Sequence, residues 1–175
     1  MQHFLATLAV MATFATVQAQ TAFPRIEGET TANTTVELPT ASKGKYAIIA
    51  VAYGTKAEPL LAEWYEPAYL RFVNKHGLFA GTYEADLWFV PVFVGLNKAA
   101  YEPSMKKLRK GSDPDVAKRV VFFKGDADLV ITALGLKNKD VPYFFVVDAD
   151  GRIVHRTQGA FSVDKLDAIE EVLLQ

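Results

Sequence analysis

The sequence contains no cysteine among its 175 residues. This absence excludes disulfide bonds, thiolate nucleophiles, Cys-ligated zinc and iron–sulfur clusters. A lipid anchor attached through cysteine is excluded for the same reason. The absence alone does not identify the compartment in which the protein works.

An excess of charge of either sign is also missing. The chain has 19 Lys and Arg against 20 Asp and Glu, which gives a formal net charge of −1. Because no basic field is available to attract phosphates, we predict no nucleic-acid partner. Beyond the first 19 residues the histidines are His76 and His155, and neither belongs to a metal-binding motif, so we predict no metal and no cofactor.

The N-terminus is an uncharged apolar run over residues 4–17, followed by Val17-Gln18-Ala19. The short run and the small residues after it are typical of a secretory signal peptide over residues 1–19. We therefore predict export to the periplasm or the extracellular space, with no membrane span after cleavage. Residues 20–39 are polar and Thr-rich and predict an extended N-terminal arm or a short hairpin, and residues 40–175 predict one domain.

A continuous apolar run at residues 46–53 predicts a buried central strand. The Thr55-to-Glu58 spacing fits a capping box that opens a helix. That helix buries an apolar stripe, and Pro67 predicts a kink in it. The stripe consists of Leu61, Trp64, Ala68 and Phe72.

The rest of the chain alternates helices with strands. We predict strands at residues 86–96, 119–123, 143–147 and 152–157, and helices at 98–110, a short one from Asp113-Pro114, 126–134 and a last one capped by Ser162. Pro91 predicts an irregular or edge strand. Asp148-Ala149-Asp150-Gly151 predicts a hairpin turn. This order predicts a three-layer α/β/α domain with a mixed central sheet and a C-terminal β-hairpin plus helix.

Two segments resemble the redoxin branch of the thioredoxin-like superfamily. LPTASKGKYAIIAVAYG, from Leu38, is similar to the opening of that branch, and VPYFFVVDADGRIVHRTQG, from Val141, is similar to its closing segment. The resemblance implies a thioredoxin-like fold and a cis proline at Pro142. A weaker resemblance joins Trp64-Tyr65-Glu66-Pro67 and KGDADLVITALGLKNKD to the mitochondrial ATP-synthase assembly-factor family, whose members act as chaperones.

In redox-active relatives a C-x-x-C pair opens the first helix, and here that stretch corresponds to Thr55-Lys56-Ala57-Glu58. Without cysteine, the resemblance implies no thiol–disulfide oxidoreductase or peroxiredoxin activity. Thr55 has no histidine near it in sequence to activate it, so we interpret Thr55 as a helix cap. The family's substrate groove implies a candidate partner groove, whose residues are Tyr53, Gly54, Thr55, Lys56, Ala57, Val141, Pro142 and Tyr143.

The sequence therefore predicts a non-catalytic exported domain that binds another protein, either as an accessory subunit of a cell-envelope complex or as an assembly chaperone. Two alternatives stay open. One is an enzyme with non-thiol chemistry, which needs a buried cluster of charged side chains around a cavity. The other is a partner in a redox pathway whose cysteines are supplied by a second chain.

Overall fold

Seven strands form two sheets within residues 21–75, 81–123 and 125–175, the part of the chain that this computed structural model describes. The larger sheet has the order β4-β3-β6-β7, with β3 and β4 parallel and the other neighbours antiparallel. Its strands are β3 (Tyr46–Ala52), β4 (Ala85–Pro91), β6 (Tyr143–Val147) and β7 (Ile153–Gln158).

The smaller sheet has the order β2-β1-β5, and both of its strand pairs are antiparallel. Its strands are β1 (Ile26–Thr30), β2 (Thr35–Leu38) and β5 (Val121–Phe123). Parallel bridges from Phe89 to Val120 and from Val92 to Phe123 connect it to β4. Residues 20–39 were expected to form either an extended arm or a short hairpin, and the pairing of β1 with β2 shows the hairpin. Residues 1–20 lie outside the described residues.

The central strand β3 divides the core into two parts. Its side chains alternate between the faces of the sheet, so Ile48 and Ala50 enter one buried cluster while Ile49 and Val51 enter the other. Helices cover both faces, which confirms the predicted α/β architecture. The helices are α1 (Ala57–Ala62), α2 (Tyr65–Ala68), α3 (Tyr101–Gly111), α4 (Pro114–Ala117), α5 (Ala127–Ala133) and α6 (Val163–Leu173).

The helix predicted after β3 is broken into α1, α2 and a π-helical turn at Tyr69–Val73. The break falls at Glu63 and Trp64, where the missing amide hydrogen of Pro67 leaves the Glu63 carbonyl without its usual donor. The predicted stripe is buried, from Leu61 to Phe72. The kink and the buried face are both confirmed.

The prediction of a capping box at Thr55 and Glu58 was wrong. The residue that precedes α1 is Lys56, in helical conformation and without a side-chain cap. The amides of Ala57 and Glu58 both donate to the carbonyl of Gly54, at 3.0 and 3.2 Å. The Gly54 carbonyl therefore satisfies the amide that Thr55 would cap. The Glu58 carboxylate accepts a hydrogen bond from Ser104 Oγ at 3.3 Å.

Three other helix starts agree with the sequence. Asp113, Asp126 and Ser162 each accept a hydrogen bond from an amide in the first turn of their helix. Gly135, which follows α5, has a φ of 59°, in the left-handed region that glycine adopts without strain at a helix end.

The strand expected at residues 86–96 ends earlier, at Pro91, because proline cannot donate to a ladder. The chain then forms a 3-10 helix at Gly95–Ala100 before α3. His76 lies outside the described residues. No helix in the described ranges combines the length and apolar character needed to span a bilayer.

Candidate functional site

The structure brings together the two segments of the predicted groove. Residues 53–57 leave the end of β3, residues 141–143 enter β6, and Val51 pairs directly with Tyr143. Both segments therefore lie at the same end of the sheet. Their juxtaposition follows from the antiparallel pairing of β3 with β6.

The two tyrosines of the predicted groove, Tyr53 and Tyr143, are part of the core instead. Tyr143 is 1% exposed and Tyr53 is 9% exposed. The Tyr53 hydroxyl donates to the carbonyl of Leu136 at 3.1 Å, and the Tyr143 hydroxyl accepts from the amides of Lys137 and Asn138. Both phenols are buried because residues 136–140, here named the covering loop, satisfy their hydroxyl groups.

The peptide bond between Val141 and Pro142 is trans, which contradicts the cis proline implied by the family resemblance. Among the described residues the cis bond is Leu38–Pro39. The trans form of an X-Pro bond is favoured by only about 0.5–1 kcal/mol, so the surrounding structure selects the isomer. Pro142 itself is buried and its carbonyl accepts from Gly159 at 2.8 Å. The argument for a groove inherited with a cis proline no longer holds.

The covering loop also packs against the backbone of Gly54. A Cβ atom on Gly54 would lie 2.0 Å from the carbonyl oxygen of Lys139, so only glycine permits this approach. An ion pair of 3.3 Å joins Lys56 to Asp140 across the same contact. Of the eight predicted groove residues, Thr55 and Lys56 are exposed, while Ala57 is fully buried.

An open groove begins at Gly54 and Thr55 and runs the other way, between the α1–α2 segment and α3. It consists of three adjoining cavities of about 20, 430 and 490 Å³. Glu58 and Pro91 are shared by the first two cavities. The second and third share four residues, which are Ala62, Tyr65, Gly111 and Ser112. We call this continuous surface the helix groove.

Tyr65 occupies the centre of the helix groove. Its ring packs on Phe89 with 4.6 Å between centroids. Burial raises the pKa of the Tyr65 hydroxyl, and the nearby Glu58 carboxylate raises it further. The phenol therefore keeps its proton and can act as a hydrogen-bond donor rather than as a base.

The far end of the groove carries hydroxyl and carboxylate groups. Tyr69 donates to Asp115 at 3.1 Å. Partial burial and this hydrogen bond raise the pKa of Tyr69, while hydrogen bonds from Lys118 and Tyr69 lower the pKa of Asp115. Glu66 and Asp113 line the same end. The groove is thus apolar along its floor, with donors and carboxylates at its walls.

The described residues place neither a thiol nor a metal-binding cluster at this groove. The chain has no cysteine, and the described ranges hold no group of three His, Asp or Glu side chains that could bind a metal. His155 lies on β7, at the opposite edge of the sheet from β4.

Sequence reasoning missed Tyr65, Tyr69 and Lys107, which line the helix groove. Tyr65 and Tyr69 are four residues apart, and neither belongs to the buried stripe of that helix. This second aromatic stripe was the available signal. Lys107 lies within the predicted helix at residues 98–110, and nothing in the sequence shows that its side chain lines the groove with α1 and α2.

Comparisons with solved structures support the fold. The chain superposes with a TM-score of 0.57 and 18% identity on an exposed lipoprotein thioredoxin from Streptococcus pneumoniae, covering 85% of this chain and 99% of that one. A thiol:disulfide interchange protein from Chlorobium tepidum matches with a TM-score of 0.57 and 15% identity, over 89% of this chain and 94% of that one.

A third similar structure is BsSco, a member of the Sco family of cytochrome c oxidase assembly proteins, with a TM-score of 0.59, 12% identity and coverage of 88% and 92%. No family model and no curated protein matches the sequence. At these identities the similarity shows the fold alone. The chain therefore has a thioredoxin-like fold, and the resemblance to the ATP-synthase assembly factors receives no support.

Proposed function

We propose that this protein is a non-catalytic, exported thioredoxin-like domain that binds another protein, as an accessory subunit or an assembly chaperone of the cell envelope. The observation that carries the proposal is the absence of cysteine from a fold whose similar structures include thiol:disulfide interchange proteins. The position at which a C-x-x-C pair would open the first helix holds Thr55, Lys56, Ala57 and Glu58 instead.

The absence of thiols removes thiol chemistry but not the capacity of the fold to bind a partner. Thiolates at a helix N-terminus are activated by the helix dipole, and neither a threonine hydroxyl without a neighbouring base nor a lysine can replace them. We therefore assign the fold a binding role. Similar proteins include an exposed lipoprotein and a member of an assembly-protein family, which is consistent with export and with a protein partner.

We further propose that the partner contacts the helix groove, starting at Gly54 and Thr55 and extending over Tyr65. The other half of the predicted groove, at Val141, Pro142 and Tyr143, lies beneath the covering loop. A partner that reaches Thr55 from outside meets an open apolar channel on the α3 side. Concave apolar surfaces with a few polar groups are the usual form of a binding site.

Site-specific photocrosslinking in cells tests this proposal. The crosslinker is placed at Lys107 in the helix groove, at Lys139 on the covering loop, and at the exposed Thr132 on α5 as a control. The captured protein is identified by mass spectrometry, purified and titrated against the wild-type domain and a Tyr65→Ala variant. We expect one dominant adduct at Lys107, and at least about tenfold weaker binding after removal of the central ring.

Each outcome has a defined meaning. Capture at Lys139 but not Lys107 would return the binding surface to the predicted groove around Val141. Equal labelling at Thr132 would show that the groove does not direct binding. A stable one-to-one complex identifies an accessory subunit, and a transient complex identifies a chaperone. Turnover of a substrate by the purified domain would refute the non-catalytic assignment.

A further inference from the structure

Within the described residues, the outer edge of β7 is only partly covered. β7 is the last strand in the order β4-β3-β6-β7, and its inner side pairs with β6. On its outer side, Ala22 forms an antiparallel bridge with Arg152 just before the strand begins. Two hydrogen bonds of 2.9 Å fix this bridge, from Phe23 to the Gly151 carbonyl and from Ile153 to the Thr21 carbonyl. No other described strand pairs with β7 beyond Ile153.

The backbone groups that remain available can be assigned from the ladder. Gly159 donates to the carbonyl of Pro142 at 2.8 Å, so its amide points toward β6. Residues in an antiparallel ladder alternate between inward and outward hydrogen bonding. The register from Val146 to Tyr143 runs without a shift. The N–H and C=O groups of Arg156 and Gln158 therefore point outward, away from β6.

This edge carries only part of the protection that usually prevents strand addition. Exposed edges are protected by proline, by lysine, by a bulge or by a covering element. Residues 153–158 contain neither proline nor lysine, and the irregularity of the ladder lies opposite Val146 and Val147, at the end nearer Ile153. Arg156 folds back over the sheet. Its guanidinium carbon lies 5.2 Å from the Tyr143 ring centroid and its Nη2 donates to the Gly135 carbonyl at 3.1 Å.

A cavity of about 170 Å³ lies beside the same edge, on the α5 side of the sheet. Its lining includes Thr21, Leu134, Phe145, Ile153 and Arg156. Phe145 is opposite Arg156 in the ladder, and Ile153 is opposite Val147 on the same face. A strand added to the edge would place alternate side chains over this cavity.

We propose that the β7 edge binds an extended segment of a partner protein, antiparallel to β7, that carries an acidic residue and, two positions later, a small apolar residue. The bridge at Ala22 shows that this edge accepts an antiparallel strand and sets its direction. The acidic residue faces Arg156, and the small apolar residue reaches the cavity, since residues two apart share a face. This site is separate from the helix groove, so the two proposals can fail independently.

The chain's own N-terminus does not suit this role. The predicted cleavage after Ala19 leaves only Gln20 ahead of Thr21, and one residue cannot pair with positions 154–158. In β-strand addition, main-chain hydrogen bonds supply the affinity and alternate side chains supply the specificity. The occupant is therefore a segment that another protein supplies.

Binding of a defined peptide tests the proposal. The probe is the fluorescent peptide acetyl-Ser-Thr-Glu-Thr-Val-Thr-Ser-amide, followed by fluorescence anisotropy with the chain that begins at Gln20. The matched probe is methylated at the backbone nitrogens that face β7. We expect saturable binding of the first peptide, and binding about tenfold or more weaker for the second, because each lost hydrogen bond costs about a factor of ten.

Variants of the protein locate the site. Gln158→Pro removes the outward amide hydrogen and none that bonds to β6, a substitution that edge strands tolerate. Gln158→Ala keeps that hydrogen and is the control. We expect the peptide to bind Gln158→Ala about as tightly as wild type and Gln158→Pro about tenfold less tightly. Because the methylated peptide leaves the protein unchanged, the test stands even if Gln158→Pro does not fold.

Several results would overturn the proposal. Equal binding of the two peptides would mean that the backbone edge is not used. If Gln158→Pro, but not Gln158→Ala, converts a dimer to a monomer in sedimentation experiments, the occupant is a second copy of this chain. If the chain beginning at Met1 fails to bind the peptide while the chain beginning at Gln20 binds it, the occupant is the chain's own leader.

Discussion

Replacement of Gly54 by alanine tests how the predicted groove is closed. The new Cβ atom would lie 2.0 Å from the carbonyl oxygen of Lys139, whereas real Cβ contacts stay above 3.0 Å. The two backbones must therefore separate by about 1 Å. Neither can move freely, because Gly54 follows the central strand and the covering loop is held by the Tyr53 and Tyr143 hydroxyls.

Steric insertion of this kind costs about 1–3 kcal/mol. Because the Lys139 oxygen is a backbone atom and the new Cβ atom is fixed directly to the backbone, no side-chain rotation can relieve the contact, and we expect a loss of at least about 2 kcal/mol in the free energy of unfolding. For a domain of this size, that loss lowers the midpoint of thermal unfolding by about 4–8 °C. Urea denaturation followed by circular dichroism measures the free energy directly.

Gly111→Ala is the matched control. Gly111 ends α3, its φ lies outside the left-handed region, and a Cβ atom there would meet nothing within 4 Å. Alanine there should leave stability unchanged or raise it by up to about 1 kcal/mol, since it restricts the unfolded chain. If Gly54→Ala unfolds within about 1 °C of wild type, the covering loop does not pack on Gly54 and the predicted groove is open.

Three further predictions concern the rest of the fold. Ser162→Ala removes the cap on the Lys165 amide and should cost about 1 kcal/mol, measured by urea denaturation; unchanged stability would show that the cap is not formed. Arg71→Met removes ion pairs of 2.9 and 2.7 Å to Asp167 and Glu170 and should cost about 2 kcal/mol; adding Glu170→Gln should recover part of this loss in a double-mutant cycle, and strictly additive costs would contradict it. Burial lowers the pKa of His155 in the folded protein below its ordinary 6.5. As the pH falls below 6.5, the unfolded chain therefore takes up a proton at His155 more readily than the folded protein does, and the stability of the fold decreases. The loss of thermal stability from about pH 7 to about pH 5 should therefore be smaller in His155→Gln, and an equal loss would exclude His155 as its source.

Strong local patterns in the sequence predicted most of the fold. The uninterrupted apolar run at residues 46–53 became β3, which is buried from Ala47 to Ala52. The spacing of Leu61, Trp64, Ala68 and Phe72 gave the buried helix face. The turn at Asp148-Ala149-Asp150-Gly151 forms because Gly151 has a φ of 85°, a conformation that glycine adopts without strain. In each of these segments, neighbouring residues alone determine the preferred backbone geometry.

The candidate site was harder to predict because its residues come from distant parts of the chain. Sequence reasoning located Thr55 and the segment before β6, and the pairing of β3 with β6 brought them together. It could not show that Tyr53 and Tyr143 would turn inward, since their hydroxyls find partners in the covering loop about 83 and 6 residues away along the chain. Nor could it show that α3 would stand beside Tyr65.

The sequence by itself determined the cysteine-free chemistry, the order of strands and helices, and the faces that they bury, because composition and periodicity act over a few residues. Tertiary structure alone decided the trans bond before Pro142, the close contact between Gly54 and Lys139, the helix groove and the partly covered edge of β7. These features depend on backbone groups separated by tens of residues, and only the packed sheet brings such groups within van der Waals or hydrogen-bonding distance.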